Sequence, residues 1–349
     1  MTASAPVGSC TRYPHLDELE VASRWTEVVH DGPPQLSVRW LSCHSGSFDR
    51  PPEYVIVSGP DGMPDAVAVF HLRRPGDHHT KYRLEAQISN HAEVPPGAFD
   101  APSAVVVAPS SYTSGLYIRS GLPIGRLHMA VAAVRREVAA AARADHARTI
   151  LLPHLALDAR AWFDDAVWFP TGPSAYLDVR GGRSFDDYLA RLSPRRRRET
   201  TRERRAFAAA GLRVVPSSTL GTLDQLVERQ VAHYRRYGIA ADPTRITGQF
   251  RALAEHYRDD LLLLLVVRGD TEVGHVVVVR EGRWLVPKLA AFRGRESYAY
   301  FEAGYYAVIE CALERFGSDL IEYGGAAMDA KVRRGCTVRP LIGAVLPVY

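Results

Sequence analysis

The stretch Leu261-Leu-Leu-Leu-Leu-Val-Val-Arg-Gly-Asp270-Thr-Glu-Val-Gly-His-Val-Val-Val-Val-Arg280-Glu-Gly-Arg-Trp-Leu-Val-Pro-Lys-Leu-Ala290-Ala-Phe292 decides how this chain folds. It holds three runs of aliphatic residues, Leu261 to Arg268, Val273 to Arg280 and Arg283 to Phe292. Gly269-Asp270 and Glu281-Gly282 separate them, and such dipeptides turn hairpins. Three antiparallel strands are therefore expected, followed by a helix from Ser297 to Phe316. A strand at Leu320 to Tyr323 and a last one at Ile342 to Val348 complete the half.

Working backwards, Pro243 to Tyr257 and Thr222 to Tyr237 read as helices, and Leu212 to Val215 as a strand. Ser184-Phe-Asp-Asp187 is a capping-box variant that opens a helix through Leu192. Ser193-Pro194 restarts it with an N-cap and a first-turn proline, and Gly211 stops it. The first half has a similar order. Tyr54 to Ser58 and Ala66 to Leu72 form a hairpin across Gly59-Pro60-Asp61-Gly62. A polar, proline-rich stretch spans Arg73 to Pro102, with strands near Ala104 to Val107 and Gly115 to Ile118. An alanine-rich helix runs from Arg126 to His146. Thr149 to Leu152 is a strand, Ala159 to Trp168 a helix and Ala175 to Val179 a strand; near the N-terminus, Leu16 to Val29 has helical spacing. The expected fold class is α/β with mixed sheets: two tandem domains, 1–182 and 183–349, each a sheet around one central helix.

Several classes drop out. No Gly-x-Ser-x-Gly elbow, Walker loop, Gly-x-Gly-x-x-Gly or His-Glu-x-x-His occurs. The four cysteines lack metal-ligand spacing, so neither a metal nor a cofactor is expected. The longest apolar run, Leu261 to Val267, falls far short of the roughly 20 residues that span a bilayer. With no secretory signal at the N-terminus, a cytoplasmic location is expected.

The net charge of +4 is concentrated in one place. Arg195 to Arg205 holds seven arginines against two glutamates, so the rest of the chain is close to neutral. On a continuous helix, Arg191, Arg195, Arg198, Arg202 and Arg205 share one stripe, with Glu199 and Glu203 beside it. A solvated face is the plain explanation. A polyanion, such as an RNA backbone or a pyrophosphate, would relieve the mutual repulsion. A second feature is Glu322-Tyr-Gly-Gly-Ala-Ala-Met-Asp-Ala-Lys331-Val-Arg-Arg334-Gly335. Its glycines permit close backbone approach, and Lys331 and Arg334 could serve an oxyanion or a phosphate.

The segment from Tyr188 through Ser193-Pro-Arg-Arg-Arg-Arg-Glu to Arg205, taken with the glycine-rich stretch ending Lys331-x-x-Arg334-Gly335, resembles the Fem-like N-acyltransferases of the GNAT superfamily over about Ser184 to Pro340. The resemblance implies tandem GNAT domains and acyl transfer to an amine, with aminoacyl-tRNA as donor in the characterised Fem enzymes. GNAT enzymes that use acetyl-CoA hold its pyrophosphate in a Gln/Arg-x-x-Gly-x-Gly/Ala loop at the start of the central helix. The matching place here, Phe292-Arg293-Gly294-Arg295-Glu296-Ser297-Tyr298-Ala299-Tyr300, lacks the second glycine, which tilts the donor towards a tRNA ester. Arg293 and Arg295 are donor-binding candidates beside the arginine stripe. Lys331 and Arg334, with Glu302, Asp329 or His275 as the base that takes the amine proton, are the catalytic candidates. Tyr298, Tyr300 and His275 are candidates for an acceptor pocket for a small amine. An acyl-CoA or carrier-protein donor, and a non-catalytic RNA-binding module on the same fold, are the competing expectations.

Overall fold

A computed structural model describes residues 8–74, 77, 101–294 and 298–349. The chain forms two compact units, Met1–Pro173 with Pro340–Tyr349, and Ser174–Arg339. The expected division at 182/183 therefore moves, and the last strand belongs with the first unit. The cause is strand pairing: each end of the 174–339 segment lies beside a strand recruited by a different sheet.

In the first unit the strands are β1 (Cys10–Tyr13), β2 (Glu53–Ser58), β3 (Pro64–Arg73), β4 (Ser103–Val105), β5 (Leu116–Ile118), β6 (Thr149–Leu155) and β7 (Val167–Pro170). They are joined by β15 (Ile342–Pro347) in the order β1-β2-β3-β4-β6-β15-β7, with β5 on β3. Helices α1 (Leu19–Val29) and α2 (Val38–Cys43) cover one face around Trp25, Tyr54 and Val67. The alanine-rich α3 (Ile124–Ala144) covers the other through Val131, Val134 and Val138, whose spacing of three and four builds the buried stripe. It crosses between β4 and β6, the parallel pair of this sheet. The helix expected at Ala159 to Trp168 is a 3-10 turn, Leu157–Trp162, followed by β7. Antiparallel pairing of Val167 and Trp168 with Val345 and Ala344 pulls that segment straight. Most of the proline-rich stretch from Arg73 to Pro102 lies outside the described residues.

The second unit contains β8 (Ser174–Asp178), α4 (Phe185–Arg191), α5 (Pro194–Ala209), β9 (Leu212–Ser217), α6 (Leu223–Arg236) and α7 (Pro243–Tyr257). Then follow β10 (Leu261–Arg268), β11 (Thr271–Glu281) and β12 (Trp284–Phe292), the meander expected from sequence. A central helix α8 covers residues 299–316, after which come β13 (Leu320–Gly324), a short α9 (Met328–Arg333) and β14 (Thr337–Arg339). The sheet order is β14-β8-β13-β12-β11-β10-β9. One face buries Leu262, Leu264, Val276 and Val278 with Ala303, Tyr306 and Val308 of α8. Helix α7 brings Ile246, Phe250 and Leu253, all buried, to the opposite side of β10 and β11. Again one parallel pair, β12 and β13, is bridged by the central helix. Both units thus have the expected architecture, a mixed sheet around one long helix. Among the described residues no helix is long and apolar enough to cross a membrane.

Gly115 tests the packing of the first unit. A Cβ there would stand 2.2 Å from the Val69 carbonyl oxygen and 2.6 Å from the Val107 nitrogen, both backbone atoms. Gly115→Ala should cost about 3 kcal/mol in a denaturant melt. Gly125→Ala, where nothing lies within 4 Å, should instead gain up to about 1 kcal/mol.

Candidate active site

Strand β12 pairs with β11 up to Phe292, but with β13 only at Trp284–Leu320 and Leu285–Ile321. Beyond that point the two parallel strands part, and β12 presents an edge without a strand partner among the described residues. Crevices at the carboxyl ends of parallel strands, facing a helix N-terminus, are where such sheets bind ligands. On the β12 wall the register shifts: Val277 faces Leu289 and Val278 faces Pro287, leaving Lys288 as a bulge. On the β13 side the chain takes left-handed conformations at Gly324, Ala326 and Ala327, with φ of 64°, 62° and 47°. At the start of α8, Tyr298 has φ 58°. Three non-glycine residues in a costly backbone region thus flank one crevice, a pattern common at functional sites.

Lys331 holds the β13 wall. Its Nζ donates to the carbonyls of Tyr323 at 2.8 Å and Gly324 at 2.6 Å, and to that of Gly325. The residue is 3% exposed. Three donors meet three carbonyls, so the expected role at an oxyanion gives way to a structural one: Lys331 bends the chain away from β12. Glu322, also buried, fixes the same strand from its far edge. It accepts from Ser174 Oγ at 2.6 Å, from the Gly324 amide at 3.1 Å and from Arg339 at 3.1 Å.

Arg334 likewise faces inward. It donates to Glu203 at 2.6 Å and to the Ala330 carbonyl at 2.9 Å, and its guanidinium lies 3.6 Å from the Phe301 ring centroid. The Tyr306 hydroxyl donates to the same Glu203 oxygen, and the Tyr188 hydroxyl donates to the Arg334 carbonyl at 3.0 Å. Burial lowers the Arg334 pKa, but Tyr306 and Glu203 more than offset this and keep it above the ordinary value. Burial, with the Glu203 hydrogen bond second, pushes the Tyr306 phenol up. The node joins α4, α5, α8 and α9 and leaves Arg334 no free face towards a substrate. Glu302 opens a π-helical segment of α8 and accepts from Arg204 Nε at 3.1 Å, while Arg204 also pairs with Glu310 at 2.8 Å. Burial raises the Glu302 pKa and Arg204 opposes it. This carboxylate therefore faces α5 as a packing ion pair. Asp329 is exposed in the first turn of α9.

His275 is fully buried on β11. Its Nδ1 accepts from Arg229 at 3.1 Å and its Nε2 donates to Gln230 at 3.2 Å, so the neutral ring is satisfied on both sides. This satisfied core position removes it from the acceptor pocket. Tyr298 packs against the core and Tyr300 is exposed. Arg293 is exposed at the β12–α8 turn, and Arg295 lies outside the described residues.

The arginine stripe changes at one place. Leu192 leaves the helix with φ −80° and ψ 150°, so α4 and α5 are separate. Arg191 turns back to the carbonyls of Asp178 at 3.3 Å and Arg180 at 2.6 Å. Arg197 caps α4 through the carbonyls of Leu189, Ala190 and Leu192. Arg195, Arg198, Arg202 and Arg205 remain on one exposed row. Glu203, expected to pair on the surface, belongs to the opposite face with buried Thr200 and Phe207. The three-and-four spacing of Thr200, Glu203 and Phe207 is the signal that could have found it.

Residues 127–344 match the FemAB-like family, described by peptidoglycan biosynthesis and recognition. In fold the chain is similar to FemX at 12% identity, with a TM-score of 0.61 and 96% of each chain covered. It is similar to L-PGS from Bacillus licheniformis at 12% identity and a TM-score of 0.55, covering 94% of this chain and 91% of that one. A tandem GNAT protein from the clavulanic acid biosynthesis pathway matches at 12% identity and a TM-score of 0.55, over 98% and 99% of the two chains. No curated protein matches the sequence. These likenesses define the fold, a tandem GNAT-like arrangement shared with FemX. The family match spans more than half of the chain, and the chain belongs to the FemAB-like family.

The buried polar groups set two expectations. Lys331→Met leaves buried carbonyls without their donor and should lower the unfolding free energy by about 3 kcal/mol in a urea melt. For His275, burial first and Arg229 second push the pKa down from 6.5 to about 3. The unfolded chain therefore binds a proton that the folded chain refuses. Stability is full above about pH 6.5 and falls as pH drops towards about 3, by up to about 1.4 kcal/mol per pH unit. Urea melts at pH 7 and 5 should show this slope, and His275→Gln should flatten it.

Proposed function

We propose that the second unit transfers an aminoacyl group from an aminoacyl-tRNA to the amine of a small acceptor, a cell-wall or natural-product precursor. The observation that carries this reading is the row Arg195, Arg198, Arg202 and Arg205, exposed and without a carboxylate partner among the described residues. Along the helix axis these four cations extend over about 15 Å, a length that suits several successive phosphates of an RNA backbone. The missing second glycine at the β12–α8 turn supports the same donor over an acyl thioester.

The acceptor amine attacks the ester carbonyl in the crevice between β12 and β13. The new C–N bond forms, the ester C–O bond breaks, and the amine proton leaves with the ribose oxygen. Lys331 and Arg334 are committed to protein partners. Stabilisation of the oxyanion then falls to backbone amides at the start of α8 and along the free edge of β12. Positioning of amine and ester supplies the remaining acceleration. Such a reaction belongs in the cytoplasm, where charged tRNA is made.

Incubating the protein with radiolabelled aminoacyl-tRNA and a panel of amines should give RNase-sensitive amide products. Release of free thiol from acyl-CoA, with RNase having no effect, would replace this donor. Arg198→Glu with Arg202→Glu should weaken RNA binding and reduce its log–log salt slope by about two, one for each phosphate that is no longer neutralised. Unchanged binding would move the RNA site elsewhere.

A further inference from the structure

The turn that leads into α8 carries an aromatic ledge that none of the catalytic candidates uses. Helix α6 ends in a Schellman motif. The Ile239 amide donates to the Tyr234 carbonyl at 3.0 Å and the Gly238 amide to the Arg235 carbonyl at 3.1 Å, with Gly238 at φ 67°. The motif turns Tyr237 and Ile239 outward, and they are 66% and 43% exposed. The end of α6 is pinned to the β12–α8 turn. Arg236 donates to the Arg293 carbonyl at 2.7 Å, and His233 Nδ1 accepts from the Phe292 amide at 3.4 Å. A ring lies on each side of that pin: Tyr237 is 5.0 Å from His233, and Tyr300 is 5.9 Å from Phe292 in edge contact. Tyr300 is 43% exposed.

Tyr237, at the end of α6, and Tyr300, in the first turn of α8, present two partly exposed rings. Arg236 and Arg293 are exposed at the β12–α8 turn, and neither has a carboxylate partner among the described residues. Aromatic faces beside such cations suit an unpaired nucleotide, whose base stacks and whose phosphate pairs. A plain apolar acceptor would match the rings and leave the arginines unused.

We propose that Tyr237 and Tyr300 form a stacking platform for the unpaired 3′-terminal nucleotides of the RNA donor, with Arg236 and Arg293 on their phosphates. This rests on the aminoacyl-tRNA reading and adds a second contact to it, distinct from the α5 row. The row grips duplex backbone, and the ledge holds the single-stranded end. Tyr300 thereby moves from the acceptor pocket to the donor path.

The test uses the full-length protein and two RNA minihelices, one blunt and one with a single-stranded CCA 3′ end, followed by fluorescence anisotropy at fixed salt. The wild type should bind the CCA-ended RNA more tightly than the blunt one. Tyr237→Ala with Tyr300→Ala should abolish that preference, a loss of about tenfold or more, and leave blunt binding unchanged. Tyr237→Phe with Tyr300→Phe should keep it, since the ring and not the hydroxyl stacks. Equal affinity of the alanine pair and the wild type for the CCA-ended RNA would overturn the platform and leave the donor reading standing. A wild type that binds neither RNA would overturn both. Tyrosine dependence seen with coenzyme A and not with RNA would assign the ledge to a thioester donor and overturn the proposal.

Discussion

The carboxylate of Glu203 is the point on which the second unit depends. It takes hydrogen bonds from Arg334 on the loop after β13 and from Tyr306 on the central helix, and it belongs to α5, far from both in sequence. Replacing such a buried pair with apolar residues can be neutral, but removing one partner strands a charge and typically costs several kcal/mol. Here that geometric demand is useful. A single acceptor fixes how α5 and the β13–β14 connection lie against α8. Lys331 then sets where β13 leaves the sheet by gathering successive carbonyls. The crevice is the result of these two anchors, and its open β12 edge exists because β13 is held away from it.

This explains why the cations that looked catalytic are scaffold. A lysine and an arginine three residues apart after a Gly-Gly pair satisfy the requirements of an oxyanion site, and sequence alone cannot distinguish donors aimed at a substrate from donors aimed at the protein's own carbonyls. Burial separates the two cases: both residues are enclosed, and each finds partners within the unit. The same holds for His275, which lies within the unbroken buried run Val273 to Val279 of β11 and meets Arg229 and Gln230 from a helix that is distant in sequence. Tertiary partners of this kind leave no local trace.

What was legible came from strong local rules. The β10–β12 meander follows from aliphatic runs and glycine turns, and the capping box at Ser184 and the Ser193-Pro194 start fall where the chain places them. The short elements were not legible. Helix α9 and strand β14 span six and three residues, too few for a period to show. The start of strand β7, Val167 and Trp168, was read as the end of a helix because its conformation is decided by β15, far along the chain. The domain boundary was hidden for the same reason. Residues 174–178 and 342–347 read equally well as strands of either half, and only the pairing of β8 with β13 and of β15 with β6 assigns them.

The arginine helix shows how structural and functional charge can be sorted. Arg204 is taken by Glu302 and Glu310, and Arg197 by the carbonyls that end α4. These two face inward or backward and relieve their charge within the fold. The exposed four make no ion pair among the described residues: of the two acids on α5, Glu203 is buried on the other side, and Glu199 is half-buried. Burying one of the two acids while the bases stay outside strengthens the outward field at the cost of repulsion along the row. Stability alone would favour more acids among the exposed bases than the single half-buried Glu199. This repulsion is the physical ground of the proposed RNA contact: a polyanion on the row would supply the counter-charge and release the ions that screen it in the free protein.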